Sequence, residues 1–413
     1  MSNWPIEKLK GKLNIKHGFP FKGEFFSEQK TEFIVLTPGN FYETGGFKRQ
    51  LGKEKFYTGE FPEEYIHSKG DVIVAMTEQA AGLLGSCARV PESGLYLHNQ
   101  RLGLIKTNPQ YLLKDYVYYL FRTNTVREQI RLTSSGSKVK HTSPERIYDV
   151  KVPLPDVKKQ QKIVDFLDII EDKLELNNRI NTELEAMAKT LYDYWFVQFD
   201  FPDANGKPYK TSGGKMVYNA TLKREIPAGW AVNTLSQIAN ITMGQSPAGE
   251  SYNENRIGML FFQGSTDFGW LFPTPRQYTT SPARMAKKGD ILLSVRAPVG
   301  DMNIANADCC IGRGLAALNS KSRSDGFLFY VMKYFKQVFD RRNSEGTTFG
   351  SMTKDDLHSL QVVCPEPGLL KRYDGIVSEY NKMIFTRSLE NQDLIKLRDW
   401  LLPLLMNGQV TVK

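Results

Sequence analysis

Few residues in this chain have the types and spacing that catalysis requires. Phosphate-binding loops need Ser or Thr after a Gly-Lys pair, but Gly52-Lys53, Gly206-Lys207 and Gly214-Lys215 are each followed by another residue type. Asn108-Pro109-Gln110-Tyr111 lacks the second proline of the [DN]-P-P-[FY] signature that amino-methyltransferases carry, and it is typical of a turn before a helix. A serine nucleophile elbow is also missing. We therefore expect no catalytic site in this chain.

Metal and thiol chemistry are equally poorly supported. The five histidines are scattered without an H-E-x-x-H pattern, and no two cysteines form a C-x-x-C pair, so we expect no metal. The cysteines are expected to be reduced and buried, as in a cytoplasmic protein. No apolar run approaches the ~18 residues that cross a bilayer, and the N-terminus lacks an apolar signal segment, so the sequence predicts a cytoplasmic protein without membrane contact. The cysteines are Cys87, Cys309, Cys310 and Cys364.

The bulk composition allows several folded domains and a nucleic-acid partner. A chain of 413 residues exceeds one ordinary core, and its 41% hydrophobic content is sufficient to fill two or three. Its 54 basic and 45 acidic residues give a net charge of +9. This moderate excess is compatible with binding DNA or RNA but does not establish it.

The chain contains an internal duplication. Segments recur in the same order at spacings that drift from 226 to about 210 and then to 213 residues, as loop insertions and deletions would produce. The matches pair Trp4 and Leu9 with Trp230 and Leu235, Gly18-Phe19-Pro20 with Gly244-Gln245-Ser246-Pro247, Lys69-Gly70-Asp71 with Lys288-Gly289-Asp290, Arg101-Leu102 with Arg313-Gly314, Gly136-Ser137 with Gly346-Thr347, Val150-Lys151 with Leu360-Gln361, and Ile163 with Ile376.

Each copy has a mixed, aromatic-rich head followed by a long helix. Short β-like runs separated by Gly and Pro predict an α+β fold, in which two similar globular heads are separated by two long antiparallel coiled-coil helices in a pseudo-two-fold repeat. The predicted segments are a first head at 1–155, a first helix at 156–200, a connector at 201–225, a second head at 226–365 and a second helix at 366–413.

The two long helices carry apolar residues at heptad spacing. About 40 residues at ~1.5 Å each give roughly 60 Å, so we expect the helices to pair and to hold the heads at opposite ends of a rigid rod. Asn177 falls on the line of contact, where a buried Asn sets register. The alternative is that each helix packs on its own head. The predicted seam is Ile163, Ile170, Asn177, Leu184, Leu191, Ile376, Met383, Leu397 and Leu404.

Two related heads at a fixed separation suit the recognition of two DNA half-sites. Contacts to bases and phosphates would then come from polar and basic loop residues, and residues that read different half-sites should differ between the copies. Arg101 and Arg313 are matched, which favours a structural or phosphate-facing role for both. The loops are 37–48, 77–79, 134–141, 263–268, 294–296 and 344–353, with candidate contacts at Thr37, Asn40, Lys48, Thr77, Gln79, Lys138, Lys140, Gln263, Ser265, Arg296, Thr347 and Thr348.

Over essentially its whole length the chain resembles the specificity (S) subunits of type I restriction–modification enzymes. Each motif is short, but the ordered set is specific. The motifs are Gly18-Phe19-Pro20-Phe21-Lys22, Gly244-Gln245-Ser246-Pro247, the run KGDILLSVRAPVG at 288–300, the Gly-Ser and Gly-Thr loops before the strands near 150 and 360, and the central run LYDYWFVQFDFP at 191–202.

The resemblance implies a non-catalytic DNA-binding subunit. Two target-recognition domains would read the halves of an asymmetric, gapped, double-stranded DNA target, and the long helices would dock two methyltransferase (M) subunits, through which restriction (R) subunits join. S-adenosylmethionine and ATP with Mg would be bound by those partners, and no cofactor by this chain. One alternative remains open: a coiled-coil adaptor that holds two protein partners without binding DNA. A stand-alone methyltransferase or nuclease is disfavoured by the missing motifs.

Overall fold

The computed structural model describes residues 4–78, 82–344 and 351–412. The chain forms two compact units, the first built from residues 1–177 and 389–413 and the second from 178–388. Both long helices contribute residues to both units, so each unit contains one head and part of each helix. The predicted boundaries divide the chain into successive heads and helices, whereas each compact unit combines parts that are distant in sequence. The predicted boundaries therefore stay a prediction.

The first unit contains short strands, small helices and the beginning of a long helix. Its strands are β1 (Ile6–Lys8), β2 (Leu13–His17), β3 (Phe26–Ser27), β4 (Phe33–Leu36), β5 (Phe56–Tyr57), β6 (Val72–Ala75), β7 (Thr77–Glu78), β8 (Cys87–Arg89), β9 (Tyr96–His98), β10 (Leu102–Thr107), β11 (Lys140–His141) and β12 (Lys151–Pro153). Its helices are α1 (Lys114–Leu120), α2 (Asn124–Leu132), α3 (Pro144–Tyr148) and α4 (Val157–Tyr192), which continues into the second unit.

Two four-stranded sheets form the centre of the first head, in the orders β2-β10-β6-β8 and β3-β5-β4-β9. All four residues of β6 are buried, as expected of a central strand that is covered on both faces. Helix α1 packs Tyr116 and Tyr119 into one side of this core, where both side chains are fully buried. Large aromatic groups of this kind contribute much of the burial energy of such a core.

The second unit follows the same plan. Its strands are β13 (Met216–Asn219), β14 (Arg224–Pro227), β15 (Ala231–Thr234), β16 (Ala239–Met243), β17 (Tyr252–Asn253), β18 (Met259–Phe262), β19 (Gln277–Thr279), β20 (Met285–Ala286), β21 (Ile291–Ser294), β22 (Met302–Ile304), β23 (Cys309–Ile311), β24 (Leu315–Ser320) and β25 (Gln361–Cys364). Its helices are α5 (Leu235–Ile238), α6 (Asp325–Ser344), α7 (Lys354–His358) and α8 (Pro367–Met406), which continues into the first unit.

The strand order of the second unit repeats that of the first. Sheet β16-β24-β21-β22 matches β2-β10-β6-β8, and β17-β19-β18-β23 matches β3-β5-β4-β9 with β20 added at the edge. The parallel pair is retained as well, since β4 runs parallel to β9 and β18 runs parallel to β23. The predicted duplication and the α+β fold are therefore confirmed at the level of strand pairing.

Strand register corrects the predicted match between Arg101 and Arg313. Leu102 pairs with Ala75 at the start of β10, and Leu315 pairs with Ser294 at the start of β24. Gly314 therefore occupies the position of Arg101, one residue beyond Arg313. The error arose because the two arginines were aligned on residue type, whereas the hydrogen-bonded ladder sets the true equivalence.

Helix α4 largely follows its prediction. Its first turn is capped by Asp156, whose Oδ1 accepts the Lys159 amide proton at 3.0 Å. The helix ends at Tyr192 and a π-helical turn over Asp193–Val197 follows. Of its predicted seam residues, Ile163, Ile170, Asn177 and Leu184 are buried and Leu191 is half-buried.

The predicted seam of α8 is wrong, although the helix, Pro367–Met406, lies within the predicted segment 366–413. Ile376, Met383 and Leu397 are 39%, 41% and 41% exposed, and Leu404 is half-buried. One residue corresponds to about 100° of helix rotation, so a small error in the repeat alignment selects the wrong face. The buried residues of this helix are Leu369, Tyr373, Val377, Ile384, Asn391, Leu402, Leu405 and Met406.

Polar side chains join the two long helices within the first unit. Asn177 Nδ2 donates to Glu390 Oε2 at 2.8 Å and to Asn391 Oδ1 at 2.9 Å. Further along, Glu171 accepts from Arg398 at 3.2 Å, so the helices run antiparallel. In the second unit Asn181 bonds to Ser388, and there the helices also pack against the head. Pairing of the helices and packing on the heads therefore both occur.

The predicted connector at 201–225 is ordered. Strands β13 and β14 form a hairpin whose second strand extends to Pro227. Phe201 stacks on Tyr209 and Trp230, with ring centroids 4.6 and 4.9 Å away. This aromatic stack attaches the connector to the second unit.

Candidate nucleic-acid interface

The three loops predicted to contact DNA in the first head lie at one edge of its sheets. Strand β6 ends at Ala75, and the next residue, Met76, donates its amide proton to the Arg101 carbonyl and accepts from Thr142. Strands β7 and β11 then pair, which places Thr77 opposite His141. We call residues 37–48, 77–78, 82–84 and 134–142 the first edge loops.

Several predicted contact residues are already used by the fold. The Asn40 side chain is buried, and its Oδ1 accepts from the Thr37 amide at 2.9 Å while its Nδ2 donates to the Lys48 carbonyl. Thr77 is also buried, with its hydroxyl 3.2 Å from His141 Nδ1. Neither Asn40 nor Thr77 is therefore well placed to read a base, and Thr37 is half-buried.

The basic residues of the first edge loops are more accessible. Lys48 and Lys138 are exposed, and Lys140 is half-buried on β11. Arg101 is exposed at the same edge. These side chains can approach a phosphate backbone, which is the usual partner of lysine and arginine in DNA complexes. Gln79 lies outside the described residues.

Arg127, which the sequence pattern did not single out, holds two of the edge loops together. Its guanidinium donates to the carbonyls of Glu43 at 2.9 Å and Leu84 at 3.2 Å, and also to that of Gly82. Burial lowers the pKa of Arg127, but an arginine remains charged at neutral pH. No local sequence pattern predicts this role, because the contacts join residues that are far apart in the chain. The buried Glu78 carboxylate adds to it by accepting the amides of Gly82 and Leu84.

The second head presents equivalent loops, which a run of backbone hydrogen bonds connects. Gly314 donates to the Gln263 carbonyl at 3.2 Å, Val295 donates to Gly314 at 2.9 Å, and Met352 donates to Val295 at 2.8 Å. Arg296 is exposed and forms a bridge with Ser351. We call residues 263–268, 294–296 and 351–353 the second edge loops.

The predicted residues of the second edge loops differ in accessibility. Gln263 is half-buried and donates to the Ser246 hydroxyl at 2.9 Å, while Ser265 begins a short 3-10 turn. Arg296 and Arg313 are exposed and can extend toward a ligand. Thr347 and Thr348 lie outside the described residues.

Two buried histidines and the half-buried Asp71 form a hydrogen-bonded chain of titratable groups in the first head. Asp71 Oδ2 lies 3.2 Å from His67 Nδ1, and His67 Nε2 lies 2.9 Å from His98 Nδ1. Both imidazoles are at most 1% exposed. Burial, reinforced by electrostatic interaction with the neighbouring His67, lowers the pKa of His98 to about 3. The chain closes with His98 Nε2 facing the Lys16 carbonyl, so its contacts are structural.

Thiol chemistry is also disfavoured in the part of the chain that the structure describes. Burial raises the pKa of the Cys87 and Cys309 thiols to about 12, which keeps both protonated and weakly nucleophilic at neutral pH. Among the described residues, no group of three His, Cys, Asp or Glu side chains could hold a metal ion. Within the same ranges, no helix has the length and apolar character to cross a membrane.

Both heads are similar in sequence to a family of known proteins. The sequence model of the family described as "Type I restriction modification DNA specificity domain" matches residues 1–186 and 227–368. The "Putative type I restriction enzyme MjaX specificity subunit" of Methanocaldococcus jannaschii is 30% identical over 436 residues, covering 100% of this chain and 94% of that protein. The type I restriction enzyme HindI specificity subunit of Haemophilus influenzae is 22% identical, with 76% of this chain and 81% of that protein covered.

A solved structure shares the fold. The type I restriction–modification S subunit from M. genitalium superimposes with a TM-score of 0.60 at 14% identity, covering 98% of this chain and 96% of that chain. The family match spans both heads and the first part of α4, and it covers well over half of the sequence. The chain therefore belongs to the type I restriction–modification DNA specificity family.

Proposed function

We propose that this chain is the DNA-specificity subunit of a type I restriction–modification complex and that it recognises an asymmetric, bipartite, gapped target. The observation that carries this proposal is the pair of edge-loop sets, which share backbone topology but not side chains. Thr77 of the first head corresponds to Arg296 of the second, and Arg101 corresponds to Gly314. Different side chains on the same framework would read different bases in the two half-sites.

Affinity for DNA would come from exposed basic groups on both heads. Lys48, Lys138 and Arg101 on the first head, and Arg296 and Arg313 on the second, can neutralise phosphates. The net charge of +9 is modest for a protein that binds DNA alone. Other subunits of the complex would therefore complete the clamp around the duplex.

The long helices would serve as spacer and as docking surface for two methyltransferase subunits, through which restriction subunits join. Exposed apolar residues on α4 and α8, among them Ile169, Leu176 and Trp400, support a protein-binding role for these helices. Catalysis, S-adenosylmethionine, ATP and Mg would belong to those partners, and this chain would be non-catalytic and act in the cytoplasm. An adaptor that never binds DNA is the alternative function, and the same apolar surface would serve it.

Methylation mapping tests the proposal directly. In cells that contain this chain and its methyltransferase subunits, we expect N6-methyladenine in one gapped motif with two unlike halves. Exchanging the second head, residues 226–365, for that of a relative should change one half of the motif and leave the other intact. Single-molecule sequencing of genomic DNA measures both results, and cells lacking this chain provide the control.

Two outcomes would contradict the proposal. If no gapped motif depends on this chain, or if the exchange changes both halves together, the two heads do not read separate half-sites. If the assembled complex also shows no salt-dependent binding to duplex DNA, the adaptor function is favoured instead.

A further inference from the structure

The loop around Thr44 in the first edge loops is held by a side chain from outside the loop. Arg122, just beyond the end of α1, donates from Nε to the Thr44 carbonyl at 3.3 Å. Arg127 holds the preceding carbonyl, that of Glu43, at 2.9 Å. Two successive carbonyls of a predicted DNA-contacting loop therefore accept hydrogen bonds from two arginines.

The loop backbone also packs directly against the aliphatic part of Arg122. Gly45 has a φ of +89°, and a Cβ atom at this position would lie 2.6 Å from Arg122 Cγ. Only glycine combines this backbone conformation with such a close approach at little cost. The position of the loop therefore depends on where Arg122 is held.

Arg122 is in turn fixed by a carboxylate on the long helix α4. Its Nη1 lies 2.7 Å from Glu171 Oε1, and only 4% of the Arg122 side chain is exposed. The same Glu171 oxygen accepts from Arg398 of α8 at 3.2 Å. Burial raises the pKa of Glu171, but the two guanidinium groups outweigh it, so its pKa is lowered and the carboxylate stays charged.

We propose that Glu171, acting through Arg122, is a positioning residue for recognition of one half of the DNA target. This inference rests on the proposed function and adds to it that half-site specificity depends on a residue outside the head. Glu171 on the helix pair fixes the Arg122 guanidinium, and Arg122 in turn fixes the loop at 42–46.

Among the described residues of the second head, no hydrogen bond joins Lys333, the counterpart of Arg122, to an edge loop, so we expect the effect in one half-site only. Lys333 follows an aromatic pair in α6 as Arg122 follows Tyr118-Tyr119, and it pairs with Glu185 of α4. Lys333 lies over the rings of Phe329 and Tyr330. A lysine ammonium is a compact point charge without the planar fork that lets arginine grip a carboxylate and a carbonyl together.

The test compares charge-removing variants of neighbouring carboxylates in the complete methyltransferase complex. Glu171→Gln keeps the shape of the side chain but removes the charge that fixes Arg122. Asp168→Asn is the matched control, because Asp168 lies one turn earlier on α4 and accepts from Arg89 at 2.6 Å and Tyr119 at 2.5 Å. Neither Arg89 nor Tyr119 has a described hydrogen bond to residues 42–46.

The measurement is the methylation rate on duplexes that carry a single base change in one or the other half of the wild-type motif. For Glu171→Gln we expect discrimination to fall roughly 3- to 30-fold in one half, the range typical of mutations that alter coupling between sites. Discrimination in the other half should remain unchanged, as should both halves for Asp168→Asn. Gly45→Ala, which pushes the loop away from Arg122, should relax the same half as Glu171→Gln.

Each result has a definite consequence. If Gly45→Ala relaxes one half but Glu171→Gln relaxes none, the loop acts without the helix anchor and the inference is wrong. If Asp168→Asn and Glu171→Gln have equal effects, general loosening of the head explains them and the specific role is rejected. If the wild-type complex shows no bipartite motif, the proposed function itself fails, and this outcome is seen before any variant is made.

Discussion

Replacing Gly18 with alanine is expected to destabilise the first unit by about 3 kcal/mol or more, at the upper end of overpacking effects. A Cβ atom on Gly18 would lie 2.0 Å from the Asn99 carbonyl oxygen. The obstacle is backbone, so no side-chain rotation can relieve it. The amide of Gly18 also donates to Leu102 at 3.1 Å, and Phe19 donates to His98 at 3.0 Å. Moving the chain away would therefore break the joint between the two sheets.

The duplication supplies a matched experiment in the second unit. A Cβ on Gly244 would lie 2.1 Å from the Gly312 carbonyl oxygen, and Gly244 donates to Leu315 as Gly18 does to Leu102. Gly18→Ala should therefore lower protection against hydrogen exchange in the first unit alone, and Gly244→Ala in the second alone. Urea unfolding of each full-length variant gives the size of the loss.

Two other glycines are the controls. Gly23 and Gly249 each begin a 3-10 turn a few residues further on, and at both positions a Cβ atom would have no neighbouring atom within 4 Å. Alanine at either position should change stability by less than about 0.5 kcal/mol, as is usual for surface sites. Equal losses at Gly18 and Gly23 would show that backbone entropy, and not the close approach, controls stability here.

The repeat could be recognised from sequence because positions where two backbone segments approach closely require glycine. Gly18 and Gly244 must be glycine for the same steric reason, and Gly70 and Gly289 both adopt positive φ before a buried strand. Such positions tolerate little change, so they survive divergence and reveal the duplication. The sequence therefore matched these glycines correctly between the two copies.

The seam of α8 could not be read in the same way, because the helix is apolar on more than one face. Ile376 and Met383 are exposed, whereas Val377 and Ile384, one residue further on, are buried. Hydrophobicity alone cannot choose between two apolar lines that are about 100° apart. The contacts with α4 and with the second head make the choice, and these are long-range.

At the candidate interface, too, the sequence does not predict long-range contacts. Which loops meet at the sheet edge followed from strand ends and turn residues, and the structure brings them together. The sequence did not show which side chains are free to contact DNA. Asn40 and Thr77 are of types that read bases, but their side chains form local hydrogen bonds. Arg122 and Arg127 contact carbonyls about 80 residues away, and no local pattern encodes such a contact.

Lowering the pH from 7 to 5 is expected to destabilise the first unit through His98. The pKa of His98 in the folded chain is about 3, because the ring is buried and lies beside His67. A second proton would have to sit on Nδ1, which faces His67 Nε2 at 2.9 Å. The unfolded chain has no such restriction and takes up a proton near pH 6.5. The contribution of His98 to the free energy of unfolding is therefore fully present above pH 6.5 and is lost progressively as the pH falls toward 3.

The expected size is about 1.4 kcal/mol for each pH unit below 6.5, since one additional proton is bound by the unfolded chain. Burial raises the pKa of Asp71, but its contacts with His67 and Ser68 lower it overall, so its own contribution is lost only at more acidic pH. Hydrogen exchange of β9 and β10, corrected for intrinsic rates, measures the loss between pH 7 and 5.

The second unit shows which variant should abolish the effect. Ile311 occupies the position of His98 in the parallel strand pair, and Asp290 bonds to Asn319 in place of a histidine. His98→Ile should therefore remove most of the slope between pH 7 and 5, although it will lower stability at pH 7 by leaving the buried Nε2 of His67 without its hydrogen-bond partner. Strands β23 and β24 of the same protein should show no comparable slope. If the slope persists in His98→Ile, another group titrates in this range and the buried histidine pair is not responsible.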